Sequence, residues 1–176
     1  MRVVRPAGPR DVAELARMLE RLLTEHQRAF PDTYPRLDPH AAAAHFGAEW
    51  YRRLGVDPTV HVWLAADRDV RGFLAGEVWA RPVGEPPSVF YVEWIYVAPE
   101  HRKSGIGRLL FREGVLPYCR RHGLDVVEGR TVPGDPQWAR RGWATVAQSI
   151  MRGVDALTLD VAERPGDTGH LEGVRQ

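Results

Sequence analysis

The sequence predicts an α/β domain built around one central strand, and three observations carry that reading. The run Val89-Phe90-Tyr91-Val92-Glu93-Trp94-Ile95-Tyr96-Val97-Ala98 is apolar at nine of its ten positions and rich in β-branched and aromatic residues, the pattern of a strand covered on both faces. It leads into Pro99-Glu100-His101-Arg102-Lys103-Ser104-Gly105-Ile106-Gly107, a loop that turns into a helix. Stretches with the strand period of two and the helix period of 3.6 alternate on both sides of it. A chain of 176 residues makes one domain with volume for a proper core.

The elements follow in order. Residues 1–5 form a short strand closed by Pro6 and Gly8. Pro9 suits the first turn of a helix, and Val12, Leu15, Ala16, Leu19, Leu22 and Leu23 recur at three and four, carrying that helix to about Gln27. A loop over 29–38 holds Pro31 and Pro35. Asp38 then caps a second helix with Pro39 in its first turn; it continues through Ala42, Phe46 and Trp50 to Leu54, where Gly55 stops it. Residues 60–66 and 70–79 read as strands of a hairpin joined by Asp67-Arg68-Asp69. The stretch 80–88, with Pro82, Gly84, Pro86 and Pro87, is a loop into the central strand. The helix after it runs from about Gly105 to His122, and Pro117 should kink it or end it early. Residues 124–130 form another strand, 135–141 a short helix and 145–151 a closing strand. Past Gly153, residues 154–161 suit one more strand, and 163–176, rich in glycine and charge, read as a mobile tail.

Composition narrows the function classes. A net charge of +1 gives no global pull toward nucleic acid or an anionic membrane. The single cysteine, Cys119, rules out an internal disulfide framework, suits a reducing cytosol and sits in an apolar helical context that reads as core. No apolar stretch has the length of a membrane span, and the amino terminus lacks a signal-peptide core, so a cytoplasmic protein is expected. The seven histidines are scattered without metal-ligand spacing, and no metal is expected.

Two places carry chemistry. Glu93 is the single charge in the central run. A carboxylate there is costly to bury without a partner or a task, so it marks either an ion pair with a neighbouring arginine or a site. The loop from Arg102 to Gly107 places two basic residues and two glycines ahead of a first helical turn, whose N–H groups lack intrahelical partners and carry partial positive charge. That combination is an anion cradle suited to phosphate. The dinucleotide fingerprint fails there, because Leu110 stands where a third glycine is needed, and the P-loop Gly-Lys-Ser/Thr is absent.

Arg-x-x-Gly-x-Gly directly after a strand ending Val-x-Pro does fit. With the strand 91–97, Pro99, the loop 102–107 and the later pair Gly142-Trp143 in place of the usual Gly-Phe, the sequence resembles the GNAT superfamily of acyl-CoA-dependent N-acetyltransferases. The resemblance covers residues 1–152 as the catalytic domain and leaves 153–176 as an extra strand or tail. It implies a mixed, mostly antiparallel sheet of six to seven strands with helices on both faces, and acetyl-CoA as cosubstrate. It also implies that backbone groups of Ile95 and Val97 meet the acyl and pantetheine part. N–H groups of Lys103, Ser104, Gly105, Ile106, Gly107 and Arg108 would hold the pyrophosphate, with the Arg102 side chain bracing the loop. Thr131 stands where an asparagine is frequent. Trp138 stands where many members carry a tyrosine that protonates the leaving thiolate. Trp138 has no transferable proton, so either solvent or Tyr91 serves, or the protein binds the coenzyme without efficient turnover.

The chemistry of amines adds a demand. An alkyl amine of pKa about 10.4 is neutral in roughly one molecule in a thousand at pH 7, and only the neutral form attacks a thioester. A carboxylate whose proton affinity is raised by burial is suited to take that proton. By the period of two Glu93 shares a face with Tyr91, Ile95 and Val97, and Phe90-Tyr91-Val92-Glu93 is similar to the diamine acetyltransferases of the superfamily, where a glutamate in this place helps to deprotonate the amine. The acceptor is expected over the first two helices, where Phe30, Tyr34 and Trp50 lie among acidic residues. The expected reaction is acetyl transfer to a primary amine of a small molecule. The alternatives are a protein or peptide N-acetyltransferase, and a non-catalytic acyl-CoA sensor. A homodimer through the last strand and tail is compatible with any of them.

Overall fold

The computed structural model describes residues 3–32, 37–80 and 88–129. They form β1 (Val3–Pro6), α1 (Val12–Ala29), α2 (Pro39–Arg53), β2 (Val60–Ala66), β3 (Val70–Ala80), β4 (Ser88–Val97), α3 (Ile106–Leu110), α4 (Leu116–His122) and β5 (Val127–Gly129). The strands lie in sequence order in one sheet, antiparallel from β1 to β4, with β5 parallel to β4. These are five of the expected six to seven strands. The strands, helix and tail expected over 130–176, and with them Thr131, Trp138 and Gly142-Trp143, lie outside the described residues, as does Tyr34.

Each face of the sheet is covered as the periodicities require. On one side Leu15, Leu19, Leu22 and Leu23 of α1 and Ala43 and Trp50 of α2 pack on Val62, Leu64, Phe73, Ala75 and Tyr96. On the other, Ile106, Leu110, Val115 and Cys119 pack on Trp63, Leu74, Phe90 and Val92. Capping chemistry sets the helix ends: Asp38 Oδ1 accepts the Ala41 N–H at 3.0 Å, and Gly123 takes φ +64° to close α4. The kink or early end expected at Pro117 is replaced by a π turn, Phe111–Val115, that joins α3 to α4 in one helix. Leu116 N–H reaches back five residues to Phe111 O, and the wider turn accommodates a ring that would clash in a regular helix. It also seats Gly114 flat on Trp63, where a Cβ would come within 2.8 Å of the indole.

The irregularity that matters lies in β4. Ala75 of β3 stands opposite Trp94 and the next residue, Gly76, stands opposite Val92, so Glu93 is the extra residue of a β-bulge. The ladder is otherwise continuous. Phe90 N–H donates to Val126 O at 3.0 Å, toward β5, and Ala98 N–H donates to Arg71 O at 3.0 Å, toward β3. Backbone direction alternates along a strand, so Phe90 and Val92 before the bulge, and Ile95 and Val97 after it, turn their N–H and C=O groups to the β5 side. Among the described residues β5 pairs with Phe90, Tyr91 and Val92 only.

Candidate active site

The bulge decides where Glu93 stands. The sequence places Glu93 on one face with Tyr91, Ile95 and Val97; the extra residue breaks that alternation. Ile95 and Val97 pack into the α3 side of the sheet, whereas Trp94 and Tyr96 belong to the α1/α2 side. Tyr91 stands opposite Glu77, and the charges that act on Glu93 are those of Glu77 and of Arg53 at the end of α2. Glu93 therefore shares the α1/α2 face with Tyr91 and has left that of Ile95 and Val97. The expected burial is corrected too: Glu93 is the exposed residue of β4, because a bulge residue is pushed out of the pleat. The protein packed around it nonetheless desolvates the carboxyl enough to raise its pKa above the ordinary 4.5, and the negative charge of Glu77 adds to this. The Trp94 indole N–H and Arg53 oppose the shift. That indole nitrogen is buried and has no hydrogen-bond partner at normal geometry. Among the described residues Glu93 makes no ion pair.

Beside it stands a wall the sequence reading missed. Glu77 is held on both oxygens, by the Trp79 indole N–H at 2.6 Å and by Arg53 Nη2 at 2.9 Å. Trp79 stacks on Tyr91 with ring centroids 3.9 Å apart and planes within 10°. Arg53 also donates to Asp57 at 2.9 Å, and Asp57 is held down at about 2 by the hydroxyl and N–H of Thr59 and then by Arg53. The signal was available: Glu77 is a lone carboxylate in an apolar strand, as Glu93 is.

The loop after β4 is braced from three sides. Arg102 Nε donates to Val97 O at 3.0 Å, its Nη2 meets Glu25 of α1 at 2.5 Å, and its guanidinium lies 5.7 Å from the centre of the Tyr96 ring. Lys103 takes φ +61°, the Ser104 hydroxyl donates to His101 O at 2.6 Å, and Gly105 opens α3 at φ +86°. Leu109 N–H is bonded to Gly105 O at 3.0 Å, so the N–H groups of Ile106, Gly107 and Arg108 precede the helix's own ladder. A Cβ at Gly105 would meet nothing within 4 Å, and one at Gly107 only Ile95 Cδ1 at 3.9 Å. Open space over N–H donors fits a pyrophosphate group. The Ile106 side chain is core, 2% exposed, so only its backbone can serve. Lys103 and Arg108 are exposed.

The expected acceptor residues divide. Phe30 caps the end of α1, half-buried. Trp50 is 3% exposed and packs on Phe73 and Phe46 at 5.8 and 6.4 Å. It is a packing residue of the α1/α2 core, a correction to its expected role.

The family model of the acetyltransferase (GNAT) family matches residues 19–142. The chain belongs to that family. The fold agrees with known structures: a predicted acetyltransferase from Clostridium acetobutylicum with acetyl-CoA (TM-score 0.70, 14% identity, 89% of this chain and 98% of that one), a GCN5-related N-acetyltransferase from Ralstonia eutropha JMP134 (0.68, 20%, 87% and 97%) and a transcriptional regulator from Bacillus halodurans C-125 (0.68, 13%, 87% and 99%). No curated protein gives a match. This GNAT acetyltransferase has an enzyme fold of the N-acetyltransferase type, and acetyl-CoA is the cosubstrate of its family. Among the described residues no helix is long and apolar enough to cross a membrane.

Proposed function

We propose that the protein transfers the acetyl group of acetyl-CoA to a primary amine of a small molecule by direct attack, with Glu93 taking the amine proton. The observation that carries this reading is an exposed carboxylate at the bulge of β4, without an ion pair among the described residues and with its proton affinity raised. A carboxylate from which water is partly excluded is normally paired when it serves structure alone; one left without an ion pair there is suited to act as a base.

Acetyl-CoA supplies an activated thioester. The N–H groups of Lys103 to Arg108 hold its pyrophosphate, and Arg102, fixed by Val97 O and Glu25, keeps the loop in shape. Backbone groups of Ile95 and the Val97 N–H line the pantetheine path on the β5 side of β4. The amine nitrogen forms its bond to the acetyl carbon as the carbon–sulfur bond breaks; its proton goes to Glu93, directly or through one water, and the thiolate is protonated by solvent or by Tyr91. Phe30 and Tyr34 border the acceptor.

A thermal melt with acetyl-CoA, with ATP and NAD as controls, tests the cradle first. At a hundredfold excess over Kd a ligand stabilises by about 2.7 kcal/mol, roughly 5 to 11 °C here. A screen of polyamines and aminoglycosides against peptides then identifies the acceptor. Glu93→Gln should bind acetyl-CoA as the wild type does and lose about 10² to 10⁴ in kcat. Coenzyme binding with no transfer to any amine would overturn the reading in favour of a sensor.

A further inference from the structure

We infer that Glu77 is a positioning residue for Glu93: clamped on the adjoining strand by Arg53 and Trp79, it fixes a second negative charge beside the carboxylate that takes the acceptor's proton. The inference rests on the proposed role of Glu93. Glu77 stands directly across from Tyr91, which makes it a diagonal cross-strand neighbour of Glu93 on the same face. Both its oxygens are engaged, by Trp79 Nε1 at 2.6 Å and Arg53 Nη2 at 2.9 Å, and the indole is itself immobilised by stacking on Tyr91. A surface glutamate normally relieves a like charge by rotating away; this one is held.

Nor is its charge fully cancelled. Arg53 divides one positive charge among Glu77, Asp57 at 2.9 Å and Glu49 at 3.9 Å. Among the described residues, the charged groups facing Glu93 are Glu77 from β3 and Arg53 from α2, of opposite sign. Two carboxylates held together disfavour the state in which both are ionised, so Glu77 makes Glu93 a better proton acceptor and Arg53 moderates the effect.

The opposite signs give the test. In ¹³C NMR titrations of the intact protein, with the Glu93 carboxyl assigned by its loss in Glu93→Gln, Glu77→Gln keeps an oxygen for Trp79, removes the charge and releases Arg53 from its bond to the other oxygen, two changes that act on Glu93 in the same direction. The Glu93 midpoint should fall by on the order of half a pH unit, and the acidic limb of kcat for an amine acceptor should move the same way. Arg53→Gln should move both upward, and Arg53→Lys should leave them near the wild type. A merely structural role would lower the melting temperature in both charge variants without opposite shifts. An unmoved or raised midpoint in Glu77→Gln overturns the inference. If Glu93→Gln retains full transfer, the proposed function fails instead, and the titration still reports whether the two carboxylates are coupled.

Discussion

The two halves of β4 are made of similar residues and stand in different circumstances. Phe90, Tyr91 and Val92 lie between two strands, bonded to β3 on one side and β5 on the other, and are buried. Trp94, Ile95, Tyr96 and Val97 keep the β3 pairing and the same succession of faces, but among the described residues no strand pairs with their other edge. Between them stands one added residue. Because Val92 and Trp94 face consecutive residues of β3, the bulge displaces neither half; it inserts a carboxylate into a strand whose ladder already closes without it.

Removing Glu93 altogether is therefore the largest perturbation of function and a small one of fold. The deletion should melt cooperatively within a few degrees of the wild type, while transfer falls by about 10² or more, as expected for a lost base. Calorimetry with a turnover assay reads both; an unfolded deletion variant would mean that the bulge serves the sheet. Gly76→Ala inverts the outcome. A Cβ there would lie 2.4 Å from Tyr91 O and 2.7 Å from the Phe90 ring, so the half of β4 before the bulge must shift. A loss of about 2 to 4 kcal/mol in urea unfolding is expected.

The sequence made this framework legible where short-range physics determines it. Apolar periodicity located β2, β3, β4, α1 and α2 to within a few residues, and Asp38, Pro39 and Gly55 marked the limits of α2. It failed where the answer depends on a partner strand. Strict alternation put Glu93 with Ile95 and Val97, and only the pairing with β3 reveals the added residue. The aromatic Trp50 looked available to an acceptor because burial by Phe73 is a long-range fact. Glu77, Arg53 and Trp79 come from different elements, and no spacing in the chain announces that they meet.

On the loop side the comparison sharpens with Gly107. The space around its missing Cβ is open except for Ile95 Cδ1 at 3.9 Å, in contrast to Gly76. Gly107→Ala should leave the melting temperature unchanged and weaken acetyl-CoA about tenfold, or 1.4 kcal/mol, in a calorimetric titration. Unaltered affinity would remove this N–H group from the coenzyme site.

The smallest effect concerns stability and pH. Desolvation and then Glu77 raise the Glu93 pKa in the folded protein above 4.5, so between the unfolded and folded values the native state binds more protons than the unfolded chain. Ionised Glu93 is thus a cost to the fold that is present at neutral pH and vanishes as pH falls below the unfolded value. Glu93→Gln removes the cost. Because the residue is exposed, the gain is small, less than about 2 °C at pH 7 to 8, and it should shrink to nothing near pH 4. The same substitution would then raise stability slightly while lowering transfer by about 10² to 10⁴, the relation expected of a group retained for its chemistry. A variant less stable than the wild type at pH 8 would instead assign Glu93 to the half of the strand that holds the sheet together.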